Sequence, residues 1–279
     1  MGGEYPEVKS LNHLERRKME TSGNKQEYKT LKDFIKILSF YANYKVEEAG
    51  VNEVAKALDM APSKVSRMLG TLSDEGLFEK NQWTGKYRIG VGFFEIGLIY
   101  IFNSPLRKIL RPHIEQIAKE SGLVASWAIL HKTRAIVIDR VENMNIDLLT
   151  SRVGLNLPLH TTSLGKVLLA YLPEEKLSSI LNAVDLTKFT AHSITDVNAL
   201  RDHLKLVRQE GFAVDQGETH EDLHCLSAPV MGSDGEVVAG ICVMADRTHT
   251  NHEKILEYVG YVKEKALFIS RQLGYSLRF

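Results

Sequence analysis

Residues 62–72, Pro62-Ser63-Lys64-Val65-Ser66-Arg67-Met68-Leu69-Gly70-Thr71-Leu72, decide the reading of the first part of the chain, together with Gly76-Leu77 and Tyr87-Arg88-Ile89-Gly90 downstream. Pro62 can open a helix at its first turn, where its missing N–H is not needed. Val65, Met68, Leu69 and Leu72 recur at helical spacing and predict one inward stripe. Gly76 is suited to end the helix. Ser63, Lys64, Ser66, Arg67 and Thr71 are left on or near the outer side. Past Gly76 the period changes from helical to alternating. Residues 77–80 and 86–89 read as short strands joined by a turn containing Gly85, a β-hairpin.

Upstream, Val51, Val54, Ala55 and Leu58 form a second short apolar stripe, which Asp59-Met60-Ala61 breaks before Pro62. Before that, Leu31, Phe34, Ile35 and Leu38 predict an amphipathic helix that begins near Tyr28 and buries those four side chains. Helix, helix, turn, helix, hairpin is the order of a winged helix-turn-helix, in which the last helix enters the major groove and the hairpin lies along the backbone. Small hydroxyls at Ser63, Ser66 and Thr71 permit close approach to phosphates and base edges, and Arg67 can bond guanine bidentately. Lys64, Lys80, Lys86 and Arg88 suit phosphates. The plain alternative is a helical packing module with a solvated polar face.

The whole composition constrains this reading. The chain has 279 residues with 35 Lys+Arg against 35 Asp+Glu, 44% hydrophobic and 25% charged. That length suits one large or two modest domains, and the usage is that of an ordinary globular protein, not a disordered or fibrous one. Two cysteines make no disulfide framework and favour a reducing, cytoplasmic setting. The longest apolar runs, such as residues 237–245, are about half of a bilayer-spanning helix, and the polar N-terminus has no secretory pattern. Zero net charge argues against a nucleic-acid partner until the charges are placed. Residues 1–90 carry a net +2, and the cations fall on the one helix and hairpin expected to face DNA.

Residues 1–28, polar and without periodicity, read as a flexible extension. Residues 29–90 form the first domain, an apolar helix over 91–104 links it onward, and 105–279 form the second. In that second domain helices are expected at 105–121, 163–172, 174–184 and 196–209, with one long helix over 252–273. Strands are expected at 124–131, 135–141 and 212–215, with a weaker one at 146–151. Strands 225–231 and 237–245 flank the turn Gly232-Ser233-Asp234-Gly235. The fold class is α+β.

Two polar stretches stand out there. Pro158-Leu159-His160-Thr161-Thr162-Ser163-Leu164-Gly165-Lys166 sets hydroxyls and a glycine before a helix, where free N–H groups attract a carboxylate or where Thr and Ser simply cap. Asp215-Gln216-Gly217-Glu218-Thr219-His220-Glu221-Asp222-Leu223-His224-Cys225 holds metal-ligand types, with Cys242 on the next strand. Asp215, His220, His224 and Cys225 are candidates for a zinc site, and a metal-dependent hydrolase is the alternative function. No HExxH, paired CxxC, G-x-S-x-G, G-x-G-x-x-G or P-loop is present.

The chain resembles the IclR-type bacterial transcriptional regulators over about residues 28–275. The likeness is carried by residues 63–72 with Gly76-Leu77 and Tyr87-Arg88-Ile89-Gly90, by the Pro158–Lys166 stretch, and by Gly211-Phe212-Ala213-Val214-Asp215 through Glu218, Cys225-Leu226-Ser227-Ala228-Pro229-Val230 and Gly235. The resemblance implies a winged helix-turn-helix, a linker helix and a GAF-like effector domain. It also implies a homodimer or dimer of dimers that mostly represses genes for carbon-source use, binding a pseudo-palindromic double-stranded DNA operator under control of a small organic effector. The effector site is implied at Thr162, Ser163, Leu164, Asp215, Cys225 and Cys242, with no catalytic residue and no cofactor beyond a possible metal ion. Some positions depart from the family pattern: Lys64 follows Ser63 where Thr is usual, Asp222 replaces a Gly, His220 and His224 are extra, and Cys242 stands where a small hydroxyl residue is common.

Overall fold

The computed structural model describes residues 28–44, 46–142 and 152–276. The expected extension before Tyr28 and the strand expected at 146–151 lie outside the described residues. Two compact units meet in sequence between Asn103 and Ser104.

The first unit comprises α1 (Lys29–Tyr44), α2 (Val51–Leu58), α3 (Pro62–Asp74), the hairpin β1 (Phe78–Lys80) and β2 (Tyr87–Ile89), and α4 (Val91–Asn103). Ile37, Phe40, Tyr41, Val54, Ala55, Val65, Leu69, Phe78 and Tyr87 make its core. The helix expected at the start is present, but its buried face is rotated from the expected one: Phe34 and Leu38 are half-buried, with Leu38 against the core. Leu31 and Ile35 are each 58% exposed, whereas Asp33, Ile37, Phe40 and Tyr41 point inward. The reason is polar: Asp33 turns in to form an ion pair with Lys64 of α3, and the Tyr41 hydroxyl donates to the carbonyl of Tyr87 at 3.0 Å. Gly90 is required by close approach, because a Cβ there would lie 2.6 Å from the carbonyl oxygen of Gly76.

The second unit is built on an antiparallel sheet ordered β5-β4-β3-β8-β7-β6. Its strands are β3 (Val124–His131), β4 (Arg134–Val141), β5 (Asn156–Leu157), β6 (Ala213–Gln216), β7 (Leu223–Met231) and β8 (Val237–Asp246). One face carries α5 (Pro105–Ser121) and α10 (Val259–Gln272), anchored by Arg111 Nη1 on Asp139 Oδ1 at 2.7 Å and by Ser270 Oγ accepting from Met231 N–H at 2.9 Å. The other face carries α6 (Ser163–Ala170), which packs against α8 (Val197–Glu210); α7 (Glu174–Leu181) lies between them in sequence. The expected single helix over 252–273 is two helices, a short α9 (His252–Leu256) and α10, separated at Glu257-Tyr258. The short β5 had no sequence signal, since two residues are too few to show alternation.

Candidate functional site

On α3, Ser63, Ser66, Arg67 and Thr71 are exposed together. Other expected cations are already matched. Lys64 is paired with Asp33, Lys86 Nζ lies 3.2 Å from Glu53 Oε1, and Arg88 donates to Glu79 Oε2 through Nε and Nη2 at 2.9 and 2.7 Å. Lys80 Nζ sits 5.6 Å from the ring centre of Tyr87. Arg67 makes no ion pair among the described residues, so its guanidinium is the readiest of the set to meet a base edge.

In the second unit, strand register gathers the polar side chains. Alternate residues of a strand point to opposite faces, and pairing aligns Arg140, Ser126, Cys242 and Ser227 in one row across β4, β3, β8 and β7. Asp215 and Cys225 form the neighbouring pair on the same face. The start of α6 lies over this row. Ser163 Oγ is 2.7 Å from Ser227 Oγ and 3.8 Å from Cys242 Sγ. Leu164 and Val167 pack on Gly240, where a Cβ would lie 3.0 and 2.9 Å from their methyl groups. Ser126 Oγ is fully buried and has no hydrogen-bond partner among the described residues. Ser126 and Ser227 were not singled out from the sequence, because their placement is a matter of register and not of local motif.

Thr162 serves as the helix cap: its Oγ1 accepts from Gly165 N–H at 3.0 Å and donates to the carbonyl of Pro158 at 2.6 Å. Gly165 is needed because a Cβ would meet Leu159 Cα at 2.5 Å. This cap leaves the first N–H groups of α6, those of Ser163 and Leu164, without an intrahelical acceptor. They are the donors a carboxylate would use.

Asp215 is buried with both oxygens engaged, accepting from Glu218 N–H at 2.7 Å and from the Thr219 hydroxyl at 2.9 Å. Burial pushes its carboxyl above the ordinary range, against the pull of those bonds and of Lys166. Lys166, wholly buried on α6, donates to Glu218 Oε1 and to the carbonyl of Val214 at 2.6 Å. Burial raises Glu218 to about 7 despite that partner. The sequence signal for this pair was a single lysine inside the apolar run Ser163-Leu164-Gly165-Lys166-Val167-Leu168-Leu169-Ala170. The hydrogen bond with Cys242, together with complete burial, holds the Cys225 thiol well above the ordinary thiol range. Beyond β6, an open cleft of about 400 Å³ is lined by His192, His203, Phe212, Val214 and Glu218 among others. Burial, then the charge of Lys166, lowers His203 to about 4.

The metal set expected at Asp215, His220, His224 and Cys225 is not assembled. His224 and Cys225 are consecutive on β7 and therefore face opposite sides of the sheet, while His220 is exposed in the preceding loop. Among the described residues no group of three or more His, Cys, Asp or Glu is placed to share a metal ion. Nor is any helix among them long and apolar enough to cross a membrane.

Residues 99–271 match the family model described as bacterial transcriptional regulator IclR C-terminal, and residues 45–82 match the IclR helix-turn-helix domain. The chain is similar to the HTH-type transcriptional regulator XynR of Escherichia coli (strain K12), 26% identical over 241 residues that span 86% of this chain and 95% of that protein. The crystal structure of Thermotoga maritima IclR is 29% identical, with a TM-score of 0.66 over 88% of this chain and 98% of its own. An IclR homolog from Microbacterium hydrocarbonoxydans, solved in complex with 4-hydroxybenzoate, shares the fold at 21% identity and a TM-score of 0.73, over 88% of this chain and 100% of that one.

Proposed function

The chain belongs to the IclR family of bacterial transcriptional regulators, and from that premise we propose that it is a cytoplasmic repressor of a catabolic operon. It holds a pseudo-palindromic operator as a homodimer or a dimer of dimers. The outer face of α3, with Ser63, Ser66, Arg67 and Thr71, reads base edges and phosphates, and Lys64, Lys80, Lys86 and Arg88 frame that contact. A small organic carboxylate binds between the start of α6 and the sheet, where the N–H groups of Ser163 and Leu164 take its charge and Cys225 and Cys242 shape the wall. Its effect on operator affinity comes from differential binding to two arrangements of the protein. The protein acts by binding, with no catalytic residue and no cofactor.

The observation that carries the effector reading is the polar row under α6, with Ser163 against Ser227 and Cys242 and with Ser126 Oγ buried and unpartnered. Buried polar groups are ordinarily satisfied, and one left open beside helix N–H donors suits a ligand. Support for association comes from α4, which sets only Phe93 against the core of its unit, on the Phe78 ring, and exposes Val91, Phe94, Ile96, Ile99, Tyr100 and Phe102. The test is a thermal-shift screen against small organic and aromatic acids, with 4-hydroxybenzoate as one probe, coupled to DNA retardation. A hit that raises Tm, changes retardation and is lost in Ser163→Val supports the reading. Hits unaffected by Ser163→Val would place the ligand elsewhere.

A further inference from the structure

Trp83 stands at the tip of the β1–β2 hairpin 95% exposed, the most exposed large apolar side chain among the described residues. An indole in water is unfavourable, and a turn of this kind does not need one. The backbone beneath it is fixed. Asn81 Oδ1 accepts from the N–H of Trp83 at 2.9 Å and of Thr84 at 3.2 Å, and Asn81 Nδ2 donates to Glu48 Oε2 at 2.9 Å. Gly85 closes the turn with a φ of +69 and an N–H donated to the carbonyl of Asn81 at 2.9 Å. The indole is presented on a preset turn, so less ordering entropy is lost on contact.

Charge and surroundings indicate the partner. Residues 80–86, Lys80-Asn81-Gln82-Trp83-Thr84-Gly85-Lys86, contain two lysines and no acid, and the carboxylates that reach the turn, Glu48 on Asn81 and Glu53 on Lys86, meet its two ends and not Trp83. Trp83 is also the one apolar side chain in that segment, whereas a protein interface calls for a contiguous apolar patch. A neutral ring gains nothing from phosphates. It gains from burial and stacking against sugars and bases, which form the wall and the floor of the minor groove.

The geometry points to Trp83 as an apolar wedge that the hairpin sets into the minor groove of the operator, beside the major-groove contact of α3. This rests on the reading of α3 and the hairpin as the DNA-facing surface. A wedge of this kind partly unstacks a base step and bends the duplex, so it adds preference for a deformable step at a position no polar side chain reads.

The test uses the full chain and a duplex selected by it from a random-sequence pool. The chain has two tryptophans, and the other, Trp127, is wholly buried in the second unit, so acrylamide quenching reports Trp83. Adding the duplex is expected to shield Trp83 from acrylamide. Trp83→Ala is expected to weaken binding about fivefold or more and to reduce bending of the duplex, while Trp83→Phe retains most of both. Unchanged far-ultraviolet circular dichroism checks that the exposed position has not disturbed folding. If Arg67→Ala weakens binding while Trp83 stays accessible and Trp83→Ala binds as the parent does, the wedge is overturned and the DNA-facing surface stands. Shielding of Trp83 that follows protein concentration without DNA also overturns it, in favour of a contact between copies. If no duplex is selected, the surface and the wedge fall together.

Discussion

Lys166 and Glu218 form an ion pair inside the second unit, with the lysine side chain wholly out of water and the glutamate nearly so. The pair joins α6 to the turn after β6, the two segments that border the candidate effector site. Removing either partner has unequal consequences, because Glu218 is already raised to about 7 and can shed its charge by taking a proton. Glu218→Gln strands a buried ammonium and should cost ~3–5 kcal/mol in urea unfolding. Lys166→Met should cost less, ~1–3 kcal/mol, mainly from the orphaned Val214 carbonyl. The reverse order would show that the lysine, not the glutamate, is the adaptable member.

Acid sensitivity should be traceable to His203. Its pKa in the folded chain is lowered to about 4 from an ordinary 6.5, so the unfolded chain binds more protons between those values. The stability it contributes is full above pH 6.5 and is lost as pH falls toward 4. Glu218 works in the opposite direction, favouring the folded state at low pH and losing that contribution as pH rises from 4.5 to about 7. His203→Gln should therefore flatten the fall in stability below pH 6.5. Chemical denaturation at a series of pH values measures it, and an undiminished acid limb would assign the sensitivity to other groups.

On the DNA side the pairs predict a gain as well as losses. Arg67→Ala should weaken operator binding by ~1–3 kcal/mol and relax preference at one base position. Glu79→Gln removes the carboxylate that Arg88 now grips at 2.7 and 2.9 Å. Freed, Arg88 should strengthen non-specific binding and raise the salt slope by about one phosphate contact. Fluorescence anisotropy against unrelated duplex over a salt series provides the check. An unaltered slope would mean that Arg88 does not reach phosphate.

Charge placed on α4 should separate copies of the chain. Phe94→Glu with Ile99→Glu alters two exposed apolar positions and touches no core side chain, so folding should persist. Sedimentation is expected to shift from dimer to monomer. A parent chain that is monomeric at micromolar concentration would defeat the expectation at once.

Much of this was legible in the sequence for a physical reason: strongly periodic segments announce their element and local turn residues announce its ends. Pro62 and Gly76 mark the start and end of α3 through a missing donor and a left-handed φ, which at Gly76 is +73. The inward stripe of α1 was misread because periodicity weighs only apolar residues. Asp33 is polar, yet it is buried by its partner on α3, and apolar count alone cannot register an ion pair made across 31 positions. The metal set failed for a similar reason. Closeness in sequence on a strand means opposite faces, so His224 next to Cys225 reads as a cluster on paper and as a separation in space. Ser126 and Ser227 come together by sheet register, which depends on partner strands far along the chain.

The carboxylates that grip Lys64, Lys86 and Arg88 bear on how the protein travels. Sliding along random duplex relies on loosely held cations that exchange one phosphate for the next, and these three cations, proposed to meet phosphate, are each held by a carboxylate of the same chain. A search by repeated collision from solution, with short residence at wrong sites, is the behaviour such a surface favours. Target location should then depend on the number of molecules in the cell more than on the length of DNA flanking the operator.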